Sequence, residues 1–138
     1  MKFSKGVKGK IEKKIWVVLR EIAWIRADGE CEVCGEYGMC TGDGFQVDHC
    51  ITSQCAKYRF DFRNLSWLCA PCHFKKTHCV SGVDLVVADT VRKREGSFYR
   101  KLVSYHKSQV PHKWELLQLE SQLILVEEQL EYWTKRHE

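Results

Sequence analysis

Apolar side chains recur at Ile11, Ile15, Val18, Ile22 and Ile25, in steps of four, three, four and three. That period places one stripe along a helix over residues 9–27, and Asp28-Gly29 ends it. Residues 31–46 are rich in turn signals, with glycines at 35, 38, 42 and 44. The pattern then tightens: Phe45-Gln46-Val47-Asp48-His49 predicts a short strand, residues 50–63 a loop, and Leu65 to Leu68 a second short apolar segment. A helix is predicted from Ala70-Pro71, since proline suits a first turn, to about His78. Residues 83–106 read as one or two helices, interrupted near Glu95-Gly96, and Pro111 precedes a long helix over 112–136. In that last helix Leu116, Leu119, Leu123, Val126, Leu130 and Trp133 form a heptad seam. Such a seam packs either against the N-terminal helix of the same chain or against a second copy.

The bulk composition narrows the class. A chain of 138 residues is the size of one domain, and 44% apolar residues allow a modest core. A mean hydropathy of −0.38 and 29% charged residues describe a soluble protein. No apolar run reaches bilayer length, and the basic N-terminus lacks the apolar stretch of a secretory signal. The net charge of +4 is unevenly spread. Residues 1–14 carry six lysines against one glutamate, and residues 92–113 carry seven Lys/Arg against one glutamate. Residues 114–138 hold six glutamates and only Lys135 and Arg136 as cations. Basic flanks of this kind suit a polyanion, although a solvated surface gives the same counts.

Eight cysteines in so short a chain need a reason. With no export signal, a reducing compartment and thiolate ligands are favoured over disulfides. Cys31-x-x-Cys34 and Cys69-x-x-Cys72 are two knuckles, with Gly35 easing the first turn. Together they complete a tetrahedral all-thiolate site, the usual closed structural zinc site. The 34 residues between the pairs exceed a simple ribbon, so something is built between them. Cys40, Cys50, Cys55 and Cys79 fall outside the spacing and read as small buried residues or free thiols.

Between and beside the knuckles lie Val47-Asp48-His49, then Asn64-Leu65-Ser66-Trp67-Leu68-Cys69, then Cys72-His73-Phe74-Lys75-Lys76-Thr77. This order resembles the HNH nuclease family, whose pattern is an Asp-His or His-His on a strand, a downstream Asn and a His on the following helix. The resemblance covers roughly residues 31–78. Arg59-Phe60 and Asp61-Phe62-Arg63-Asn64 are also similar to the loop of the Rap (NinG) recombination nucleases of lambdoid phages. Asp48 directly before His49 matches the wider family without singling out that group.

The chemistry fits the residue types. Phosphodiester hydrolysis needs an activated water and a cation for the developing charge. His49 can take a proton at neutral pH, and Asp48, on the other face of the strand, suits a hard divalent cation such as Mg²⁺ or Mn²⁺. His73 follows Cys72, so the zinc knuckle sets where it points; alternatively it ligates the zinc itself, leaving one cysteine idle. By the resemblance, Asn64 bonds across the loop and holds His49. Thr77, one turn after His73, stands where the family often has a second metal ligand, and His78 is rotated away. Arg59, Arg63, Lys75 and Lys76 are candidate phosphate contacts or plain surface charge.

The expectation is an α+β fold: a ββα-metal (HNH) core at 31–80 with a four-cysteine zinc site, a basic segment and helix at 1–30, and a helical region at 81–138. The function implied is a metal-dependent DNA endonuclease in the cytoplasm, or in a host's cytoplasm if phage-encoded. The resemblance points to branched recombination intermediates as substrates and the seam at 116–133 to a homodimer. A zinc-dependent DNA-binding or adaptor module without catalysis is the alternative.

Overall fold

The structure, a computed structural model, describes residues 3–51 and 56–137. Helix α1 spans Gly6–Arg26, strand β1 Phe45–His49, strand β2 Leu65–Cys69, and helix α2 Ala70–Thr77. Helices α3 (Val83–Glu95), α4 (Ser97–Ser108) and α5 (Leu116–Arg136) follow. The fold is α+β. The two strands form an antiparallel pair in which Val47 faces Trp67 and Asp48 faces Ser66. Two single turns of 3₁₀ helix, Ala56–Tyr58 and Phe62–Asn64, lie in the loop between them. Among the described residues no helix is long and apolar enough to cross a membrane.

The hairpin is covered on both faces, which is why every residue of β2 is buried. Because side chains alternate along a strand, Leu65 and Trp67 enter one core with Val47, α1 and α5. Leu68 enters a second, smaller core with Cys31, Cys72, Val83 and Val87, which Cys69 joins at the end of the strand. Between them the two cores draw on residues from all three stretches, 1–30, 31–80 and 81–138.

Two packing details differ from the sequence pattern. The buried face of α1 consists of Ile15, Leu19, Ile22 and Ala23, with Ile11 and Val18 packed at its margin. The stripe is turned toward Leu19 because α1 touches both β2 and α5 and needs more than one row. The α5 seam lies against α1 within the same chain: Leu119 and Val126 are fully buried, with Leu123, Leu130 and Trp133 packed around them. Leu116, at the start of the seam, stays exposed.

A half-buried ionic network ties the first knuckle to the rest. Glu32 accepts from the Trp67 backbone N–H at 2.5 Å and pairs with Arg94 at 2.5 Å and Arg26 at 3.5 Å. Both arginines also donate to the Leu65 carbonyl. Burial, then the nearby Arg94 charge, lowers the Arg26 pKa to about 10, which leaves it charged at neutral pH. Removing one partner of such a set strands a buried charge, so the knuckle, α1 and α3 are held in one arrangement.

Candidate active site and metal centre

The Cys31-x-x-Cys34 turn is closed by a Gly35 N–H to Cys31 carbonyl bond of 2.9 Å. Gly35 has a φ of 80°, a conformation that glycine adopts without the Cβ penalty. The second knuckle begins at Cys69, the last residue of β2 and the N-cap of α2, with proline in the first turn. The four sulfurs of Cys31, Cys34, Cys69 and Cys72 lie within 4.8 Å of one another, and Cys34 and Cys69 are 3.6 Å apart. A tetrahedral Zn–S₄ site with bonds of about 2.3 Å has sulfurs about 3.8 Å apart, so the quartet can hold a zinc-like ion. Burial raises the Cys69 and Cys72 thiols. Four thiolates this close repel one another strongly, and a divalent cation is what removes that cost. Among the described residues this is the one such cluster, and His73 is not in it. Cys40 and Cys50 are half-buried and Cys79 is exposed, all as free thiols. The Cys55 reading falls outside the described residues.

One side of the hairpin opens on a cavity of about 650 Å³. Asp48, His49, His73, Lys76 and Thr77 line it, joined by Trp16 and Arg20 from α1. Neighbours on β1, Asp48 and His49 leave the strand on opposite faces. His49 turns to α1, where its ring stacks on Trp16 with centroids 5.5 Å apart. Its Nε2 lies 2.9 Å from the Arg59 carbonyl oxygen. A carbonyl only accepts, so Nε2 carries the hydrogen and Nδ1 is the free base. Burial, reinforced by the Arg59 and Lys76 charges, lowers the His49 pKa to about 4 against the backbone bond that raises it. The imidazole is therefore neutral at physiological pH.

Asp48 turns to α2 and is nearly buried. His73 Nε2 lies 3.5 Å from its Oδ1. Its Oδ2 accepts no hydrogen bond, although the Lys76 ammonium is 3.0 Å away, and Ser66 Oγ, on its cross-strand neighbour, is also unsatisfied. Burial raises the Asp48 carboxyl, and Lys76 and His73 offset part of that rise.

Lys76, a candidate phosphate contact in the sequence, is committed elsewhere. It lies one turn after His73 on the same face of α2. Its ammonium donates to Asp48 Oδ1 at 3.2 Å and to the His49 carbonyl at 2.7 Å. Arg59 and Arg63 are likewise engaged: Arg59 pairs with buried Glu12 at 3.6 Å, and Arg63 pairs with Asp61 at 2.8 Å and covers the Phe98 ring. Lys75, Thr77 and His78 are exposed, with His78 against Phe74.

Asn64 is fully buried and bridges the loop. Its Oδ1 accepts from the Ile51 N–H at 3.0 Å, and its Nδ2 donates to the carbonyls of Ile51 at 3.1 Å and Tyr58 at 3.3 Å. The loop so pinned carries the Arg59 carbonyl that fixes His49. Replacing Asn64 with alanine is expected to lower stability by roughly 2–3 kcal/mol, since buried backbone groups lose their partners. Urea denaturation reads this directly, and an unchanged midpoint would remove the bridging role.

Trp16 and Arg20 were not legible as cleft residues. Arg20 donates to the carbonyls of Cys40, Gly42 and Phe45 and lies over Trp67. The signal was available only as two polar or aromatic positions four apart on α1, a spacing that the apolar stripe masks. No family model, curated protein or solved structure matches the chain.

Proposed function

We propose that the protein is a metal-dependent DNA endonuclease of the HNH type, built on a ββα-metal core with structural zinc in the cysteine quartet. The observation that carries the reading is the pairing in one cleft of a neutral His49, anchored through Nε2, with a buried Asp48 carboxylate that lies beside His73 and is ion-paired with Lys76. When bound by Asp48 and His73, Mg²⁺ or Mn²⁺ supplies positive charge for the developing phosphate oxyanion. His49 Nδ1 takes the proton of the attacking water. The Arg59 carbonyl keeps Nε2 protonated, so the tautomer does not change before attack. The zinc knuckle sets the start of α2 and so aims His73. Branched recombination intermediates are the first substrates to test, on the strength of the resemblance to the Rap group.

Nicking of supercoiled plasmid in Mg²⁺ or Mn²⁺, followed by a panel of linear, flap and four-way substrates, tests the reading. DNA binding without any cleavage across that panel would favour the second reading, a zinc-dependent DNA-binding or adaptor module. Lys76 is the specific observation on its side: an ammonium already neutralises the Asp48 carboxylate. The two readings part on Lys76→Met. If Asp48 and His73 take a metal, removing the competing charge should tighten Mn²⁺ binding by at least about tenfold, read by paramagnetic resonance titration without DNA. Unaltered Mn²⁺ affinity would mean the ammonium and the metal do not share the site.

A further inference from the structure

A second concave region lies on the other part of the His49 loop and shares no lining residue with the cleft. It consists of two cavities, of about 550 and 310 Å³, that have Lys57 and Tyr58 as a common wall. Lys57 is two residues from Arg59, whose carbonyl receives the His49 bond.

The larger cavity is basic. Lys57, Arg100 and Lys101 line it with the hydroxyls of Ser97, Ser104 and Ser108, and no acidic side chain does. The α4 members recur at helical spacing, so they form one face. Arg92 and Lys93 pair with Asp89, Arg94 with Glu32, and Lys113 with Glu115, whereas Lys107 in the last turn of α4 has no ion pair among the described residues. Among the described residues Lys57, Arg100 and Lys101 have no ion pair. Lys57 Nζ is instead held 5.5 Å over both the Tyr58 and Tyr105 rings. Uncompensated cations with interleaved hydroxyls are the donor set that phosphates recruit.

The smaller cavity is lined by aromatic and amide side chains, with the Arg63–Asp61 pair also in its wall. Trp114 makes T-shaped contacts with Phe60 at 5.3 Å and with His112 at 5.2 Å, and its Nε1 donates to the Ala56 carbonyl at 2.7 Å. Gln118, Gln122 and Gln129 of α5 line the same space. A fixed indole offers a stacking face, and glutamine amides can bond the edges of a base.

We propose that this groove binds an unpaired DNA strand, with phosphates along α4 and one base beside Trp114. A duplex keeps its base faces stacked and has none to offer an indole. The proposal rests on the nuclease reading only for its purpose, which is to lead a strand toward the His49 loop.

The test is fluorescence anisotropy with a short labelled oligothymidylate and with a duplex of equal length, both without divalent metal. Arg100→Glu with Lys101→Glu should weaken single-strand binding by at least about tenfold. Lys135→Glu with Arg136→Glu, the same charge change at the end of α5, should have much less effect. The oligonucleotide should also quench tryptophan emission, and Trp114→Phe should lose most of that quench. The idea is overturned if wild type does not bind the oligonucleotide, if both double variants weaken it equally, if the quench survives in Trp114→Phe, or if duplex binds as well as single strand. Plasmid nicking keeps the two ideas apart. Strand binding with no cutting retains the groove and rejects the nuclease. Cutting with unchanged strand binding in the α4 variant does the reverse.

Discussion

Replacing His49 with alanine is expected to lower plasmid nicking by roughly 10²–10⁴-fold, the usual contribution of a general base. The same variant should keep its metal content and DNA affinity, because the cysteine quartet and the basic surfaces lie apart from the imidazole. The expectation follows from geometry: Nε2 is committed to the Arg59 carbonyl, so Nδ1 is the nitrogen able to accept a proton. The Trp16 stack restricts the ring to that orientation. Some stability will be lost with the buried ring, so activity should be compared at a temperature where circular dichroism shows both proteins folded. His49→Gln serves as a second probe, since it fills more of the space and still lacks a base. Nicking within a few-fold of wild type in both variants would end the general-base assignment.

The second large effect concerns the knuckles. Cys69→Ser is expected to release the structural ion and unfold the protein. Structural zinc binding is worth about 10–16 kcal/mol, whereas a domain of this kind is stable by only about 5–15 kcal/mol. Cys69 is a demanding position because it ends β2, caps α2 and places a sulfur 3.6 Å from Cys34. Its loss should therefore separate the first knuckle from the hairpin and free α2, taking His73 away from Asp48. Elemental analysis should show about one zinc per chain in wild type after dialysis against EDTA, and a thermal melt should show no cooperative transition in the variant. A zinc-free wild type with an ordinary melting transition would contradict the assignment.

Much of this arrangement can be read from local sequence. The ends of β1, the start of α2 at Ala70-Pro71, the break at Gly96 and the long last helix all follow from periodicity and from proline and glycine, which act within a few residues. The cysteine quartet was also legible, because a Cys-x-x-Cys turn declares its chemistry at short range. Strand alternation likewise separates Asp48 from His49. What the sequence could not decide depends on contacts between residues far apart in the chain. The α5 seam has the same period whether its partner is α1 or a second copy, and only packing assigns it to α1. The Ile11–Ile25 stripe is turned toward Leu19 because β2 and α5 press on α1 together. Lys76 and Arg59 look like free cations in one dimension, yet folding brings them onto Asp48 and Glu12, where burial makes pairing obligatory. The depressed pKa of His49 arises in the same way: burial lowers it, and the Arg59 and Lys76 charges that add to the effect reach it from the loop and from α2 only in the folded chain.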